Sequence, residues 1–247
     1  MTNDNMRPAA AMRAGIRLAA TVVAGVGLGL SLSESAGAVD LDFVTHIDAG
    51  MYEQDVFVEL PDSKGRGVFR VGPNNYQRVL GAAAFATTRT VHHDPGNADA
   101  AGPYPMGSGL GMSLGDWLAG TGSGTYTCER GIGRISASFE DLVPDGVYTI
   151  WYFFVPTPAA EPFSTYDLPL GDRAGRENAF FADAKGNAQF ELTMSSCLQG
   201  SGTQLAAGLA VAWHSDGATY GSNPGGFGRA THVQLFLLLP PDEELNG

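Results

Sequence analysis

The sequence holds only two cysteines, Cys128 and Cys197, and no Cys-x-x-Cys. Neither a thiol redox centre nor a cysteine-rich zinc site can be built from that pair. Positive charge is scarce as well: 14 Lys and Arg stand against 26 Asp and Glu, a formal charge of −12. A nucleic-acid binder needs cationic surface to displace counterions from phosphate, so DNA and RNA are excluded as partners. No Gly-x-Ser-x-Gly is present, and Ser108 and Ser123 sit in glycine-rich loop composition without the strand-to-helix turn that exposes a hydrolase serine. Gly131-Ile132-Gly133 precedes a strand pattern, so no dinucleotide cradle is implied. Asp172, Glu177 and Asp183 could bind calcium or act as an acid/base pair, but without the spacing of a calcium loop they read as a solvated face. The chain has no internal repeat.

Long apolar runs are also missing. The longest, Leu18 to Leu32, is about fifteen residues, short of the ~20 that a membrane span needs. It follows Arg7, Arg13 and Arg17 and precedes Ala36-Gly37-Ala38, the order of a cleaved secretory signal over residues 1–38. The absence of a paired Arg-Arg favours the general secretory route. What remains, 39–247, is expected to be one extracytoplasmic domain, periplasmic or secreted, with no membrane span after cleavage. It keeps 11 basic and 24 acidic residues, a formal charge of −13. In an oxidising compartment Cys128 and Cys197 are expected to pair, closing a loop of about 70 residues worth roughly 4 kcal/mol.

Glycine and proline are abundant, 34 and 14 residues, and they punctuate short alternating runs. Ile135, Ala137 and Phe139 alternate with polar neighbours in 134–140, as do Phe190, Leu192 and Met194 in 188–194 and Val56, Val58 and Leu60 in 56–60. A period of two gives one buried and one wet face, the pattern of antiparallel sheet. Val147 to Val155 is apolar on both sides and is expected to be a central strand. Further strands are predicted over 67–72, 86–92, 124–129, 179–184, 205–214 and 232–239. Ala184-Lys185-Gly186-Asn187 has tight-turn composition, so 179–194 reads as a hairpin. One short helix is predicted over Ser113 to Ala119, with Ser113 and Asp116 as capping partners. Residues 94–112 read as a glycine-rich loop, or a joint to a small N-terminal β piece. These signals predict an all-β fold, an antiparallel β-sandwich of immunoglobulin-like or jelly-roll type, with at most one short helix.

Candidate chemistry centres on His214 and His232. If the strands that carry them pair across the intervening loop, opposed side chains would lie about 5 Å apart at Cβ. Two imidazoles with Asp216, or with a histidine of His92-His93-Asp94, would suit zinc or copper. That reading puts His232 and Gln234 on the face opposite Val233, Leu235, Leu237 and Leu239. The alternative is a structural turn at Ser215-Asp216-Gly217 with both rings bonded to loop groups. His46 and Asp48 offer a further copper pair or a frayed end. Tyr148, Trp151, Tyr152, Phe153, Phe154 and Tyr166 could pave a groove for a glycan or apolar ligand, or fill the core.

Leu142-Val143-Pro144-Asp145-Gly146-Val147-Tyr148-Thr149, the Phe181 to Phe190 turn, WHSDGATYG and HVQLF together resemble an uncharacterised family of secreted bacterial β-sandwich proteins over Ser113 to Leu239. The resemblance implies export and a β fold and carries no activity. The first of these elements is also similar to copper-zinc superoxide dismutase-like sandwiches, but Thr149 and Trp151 stand where their His-x-His pair is expected. The expected role is an exported, disulfide-closed module that binds a small molecule, glycan or protein or serves the envelope. A metal-dependent protein using His214, His232 and Asp216 is the alternative.

Overall fold

A computed structural model describes residues 37–50, 55–91, 101–158 and 165–247. Nearly all of the expected signal, and His92, His93 and Asp94, lie outside the described residues.

The alternating segments form strands whose buried faces meet. Antiparallel strands β1 (Val39–Phe43), β4 (Thr121–Glu129), β5 (Ile132–Glu140) and β9 (Ala188–Met194) make one sheet in the order β1-β4-β5-β9. The second runs β11 (Thr231–Leu238), β10 (Leu205–His214), β6 (Val147–Pro156), β7 (Tyr166–Pro169), with β8 (Ala179–Phe181) also paired to β6. In β5 the residues Ile135, Ala137 and Phe139 are buried while Arg134, Ser136 and Glu140 face solvent. They share one core with Phe190 and Met194 of their own sheet and Tyr148, Ile150, Leu209 and Val211 of the other. Phe180 ties the layers, stacking on Phe139 at 5.2 Å and on Tyr148 at 5.4 Å. The fold is therefore an all-β antiparallel sandwich. Strand β6 is central as expected, flanked by β10 on one side and by β7 and β8 on the other.

Local chemistry sets the first helix, α1 (Leu114–Leu118). The Ser113 side chain accepts from the Asp116 N–H and the Asp116 carboxylate accepts from the Ser113 N–H, a reciprocal cap. It turns Leu114 and Trp117 into the core. A second helical turn, α2 (Asp242–Leu245), goes beyond the one short helix expected. Three acidic residues occupy its first turn, and Leu245 is buried.

Four local expectations are corrected. Residues 106–113, inside the segment read as a glycine-rich loop, form strand β3 (Met106–Ser113), paired to β2 (Ala83–Thr87). At Gly107 a Cβ would meet Ala86 O and Thr87 O at 2.8 Å, so glycine here serves close strand approach. The turn Asp183 to Asn187 forms, with the Asp183 carboxylate accepting N–H bonds from Lys185 and Asn187. The strands it joins, however, enter different sheets, so 179–194 is no hairpin ladder. The 56–60 and 67–72 segments are tied only by isolated bridges. Phe57, expected on a wet face, is fully buried with Val68 and Val91 in a second core, because this segment is covered on both sides.

The disulfide forms between Cys128 at the end of β4 and Cys197 beyond β9, with Cα atoms 5.5 Å apart. No helix among the described residues is long and apolar enough to cross a membrane.

Candidate functional site

Strands β10 and β11 pair as expected, but not in the register that would bring the two histidines together. Trp213 pairs with His232 and His214 with Thr231, and a bulge between Val211 and Ala212 leaves Gln234 as the extra residue. Directly paired residues share a face of a sheet and neighbours along a strand do not. His232 therefore lies on the Trp213 face, toward the main core, and His214 on the other. The bulge also shifts the alternation in β11, so Val233 joins Phe236 in an outer cluster with Trp151 and Ala212. The expected grouping of Val233 with Leu235 and Leu237 is thus corrected, and Gln234 turns inward. Its amide donates to Trp117 O at 2.9 Å and its carbonyl accepts from the Tyr148 hydroxyl at 2.6 Å.

His214 is buried between two threonines. Nε2 lies 2.8 Å from Thr149 Oγ1 and Nδ1 lies 3.4 Å from Thr231 Oγ1. The Thr231 hydroxyl already donates to Pro224 O, so its oxygen accepts from Nδ1–H. Nε2 then accepts from Thr149, whose oxygen also receives the Trp151 indole N–H. Burial pushes the imidazole down to about 4; the Asp216 charge opposes this and His232 adds to it. Asp216 itself is exposed. Burial alone would raise its carboxyl, but bonds from the Tyr220 hydroxyl and the Ala218 N–H hold it below the ordinary value. The Tyr220 ring lies 5.7 Å from the His214 ring.

His232 is more deeply enclosed, with the Trp213 ring at 5.4 Å and the Trp117 ring at 6.4 Å. Nδ1 is 2.5 Å from Asp55 O and Nε2 is 3.0 Å from Ser215 Oγ. The Asp55 carboxylate accepts the Val233 N–H at 3.0 Å and lies 3.9 Å from the buried Arg70 guanidinium. Arg70 in turn sits over the Phe57 and Tyr104 rings. Burial pushes the His232 imidazole down, against the bond to Asp55. Both imidazoles are held below the ordinary histidine value by burial, and in the neutral ring the nitrogen with the lone pair faces a hydroxyl in each. Among the described residues no group of three or more His, Cys, Asp or Glu is arranged to hold a metal ion. His46 is neither frayed nor exposed; it is buried with its ring 4.9 Å from Phe236.

Beside the middle of β6, on its β7 side, lies a cleft of about 440 Å³. Tyr152, Leu168 and Leu170 line it from the second sheet, and Met194, Cys197 and Leu198 from the end of β9 and beyond. Its polar lining comes from Thr193, Ser195 and Ser196 and from Asp172, Arg173 and Glu177. The Tyr152 hydroxyl is fixed by Gln199, donating to its carbonyl at 2.6 Å and accepting its N–H at 2.8 Å. Asp172 is engaged with the Arg176 backbone and side chain. Of the aromatics named from sequence, Tyr148 is buried in the main core and Trp151 in the outer cluster, whereas Tyr152, Phe154 and Tyr166 continue one row outward. Their ring separations are 4.4 and 6.4 Å, and Tyr166 is 64% exposed. Sequence reasoning picked out Asp172 and Glu177 but had no signal for Arg173 or Ser195, which reach the cleft from the β7–β8 and β9–β10 connections. It also missed Asp55 and the approach of Ser215 to His232. Family models, curated proteins and solved structures gave no match to this chain.

Proposed function

We propose that the chain is an exported β-sandwich that binds a neutral glycan in the cleft beside the disulfide. One observation carries the reading: the cleft combines an apolar wall of Tyr152 and Leu168 with the charged and hydroxyl groups of Arg173, Glu177, Thr193 and Ser195. A sugar ring has an apolar C–H face that packs on aromatic and aliphatic side chains, and a hydroxyl edge that needs both donors and acceptors. The volume falls within the ~300–1,000 Å³ typical of small-ligand sites. Phe154 and Tyr166 extend the aromatic row past the cleft, which suits an oligomer over a monosaccharide. A formal charge of −12 opposes polyanionic glycans. Export is supported by the Cys128–Cys197 disulfide, since such bonds persist in oxidising compartments.

Calorimetric titration of the purified protein with cello-, chito- and manno-oligosaccharides, and with oligogalacturonate as the anionic control, tests the proposal. One neutral series is expected to bind, and Glu177→Ala and Tyr166→Ala are each expected to weaken it by about two- to tenfold. Absence of binding to every neutral series, or binding that neither substitution changes, overturns it.

A further inference from the structure

We propose that Ser215 is an activated nucleophile, with His232 as its general base, that accepts acyl groups from small carboxylic esters. The site follows the C-terminal end of β10, shares no residue with the glycan cleft and does not depend on it. Its basis is the direction of two hydrogen bonds. Asp55 O is a carbonyl and can only accept, so the 2.5 Å contact places the ring proton on Nδ1 of His232. A neutral ring with Nδ1–H has its lone pair on Nε2, and the group 3.0 Å from that lone pair is the Ser215 hydroxyl. Serine, base and orienting acceptor thus follow one another in hydrogen-bond reach, the order of a nucleophile, its base and the group that sets the base's tautomer, with a backbone carbonyl in the last place.

The ring cannot rotate out of this arrangement without moving core. Trp117 and Trp213 pack against it, and Asp55 holds the ring through its carbonyl and strand β11 through its carboxylate. Ser215 itself is only half-buried, at the point where β10 ends and the chain turns. The base is therefore fully enclosed, while the residue that carries the nucleophile is partly exposed. His214 supplies the internal contrast. It makes the same Nε2-to-hydroxyl bond, but Thr149 is 1% exposed and its oxygen is occupied by the Trp151 indole. The remaining contact of Ser215 Oγ, to Ala230 O, is long at 3.4 Å and leaves the bond to His232 the stronger one.

In the step proposed, Ser215 Oγ attacks the ester carbonyl carbon as its proton passes to Nε2 of His232. The tetrahedral adduct collapses with breakage of the carbon–oxygen bond to the leaving group. The imidazolium returns the proton to the departing alkoxide, releasing an alcohol and leaving acyl-Ser215. Water, deprotonated by the same Nε2, then attacks the acyl carbon; the carbon–Oγ bond breaks and the imidazolium returns its proton to Ser215 Oγ, releasing the free acid and restoring the hydroxyl.

Incubating the full chain with a fluorophosphonate probe and, separately, with p-nitrophenyl acetate tests the inference, with intact mass and peptide mapping as readouts. One phosphonyl adduct per chain on Ser215 is expected, and a nitrophenol burst matching the protein concentration. Ser215→Ala is expected to abolish both, and His232→Gln to slow labelling about a hundredfold or more. Because His232 is buried and its replacement can unfold the domain, the wild-type protein carries the decision. An unlabelled Ser215, under conditions that label a control serine hydrolase, shows that the hydroxyl merely satisfies the ring and overturns the proposal. Labelling elsewhere that survives Ser215→Ala does the same.

Discussion

His214 and His232 titrate lower in the fold than in the unfolded chain, where an imidazole takes its proton near pH 6.5. Below that pH the unfolded chain binds more protons than the folded one, so acidification favours unfolding. Stability is full above about pH 6.5 and drains away as the pH falls, down to about 4, where His214 protonates in the fold. Asp172, Asp183 and Asp216 act in a different window. Hydrogen bonds hold their carboxyls below 3.8, so their stabilisation is lost only under more acid conditions. Urea midpoints measured at intervals from pH 8 to pH 3 are expected to stay level to about 6.5 and then fall, and His214→Gln is expected to flatten the fall between 6.5 and 4. A midpoint that stays level to pH 4 in the wild type would mean that neither ring is depressed.

Ser113 shows how much one cap can decide for an element as short as α1. Five residues cannot sustain a helix in water by themselves, so α1 depends on its reciprocal cap and on the burial of Leu114 and Trp117. Ser113→Ala is expected to destabilise the protein by about 1 kcal/mol, read as a lower urea midpoint at unchanged slope. The cap was legible in the sequence because both of its partners lie three residues apart. The same holds for β5, β9 and β10, whose alternation or apolar run is a property of the segment itself. Strand β3 was not legible, since Gly107 is required by the backbone of β2, 20 or more residues away in the chain. The bulge at Gln234 was hidden for a similar reason. It is held by Trp117 O and the Tyr148 hydroxyl, and no local period announces a residue that turns inward to meet them. Placing His214 and His232 on one face followed from counting by twos through that bulge. The 183–187 turn was legible and its ladder was not, because a turn fixes only where a chain reverses and not which sheet each arm joins.

Across the molecule, the disulfide acts on the unfolded chain more than on the folded one. Cys197 belongs to a segment that the native state holds by other means: the Leu198 N–H donates to the Tyr126 hydroxyl, and the Asn246 side chain accepts from that hydroxyl and donates to Leu198 O. Cys128 lies in β4, paired along its length to β5, which is itself paired to β9. Breaking the bond therefore leaves the ends of the loop in place while the protein is folded. In the unfolded chain it frees a loop with a sequence separation of 69, worth about 4 kcal/mol in the chain-entropy model. A Cys128→Ser, Cys197→Ser double variant is expected to keep its near-ultraviolet circular dichroism while its unfolding free energy in urea drops by about that amount. Because Cys197 lines the cleft, the same variant separates two roles of the bond. Oligosaccharide affinity that persists at low temperature, where the variant is folded, assigns the disulfide to stability. Affinity lost while the spectrum is unchanged assigns it to the cleft wall.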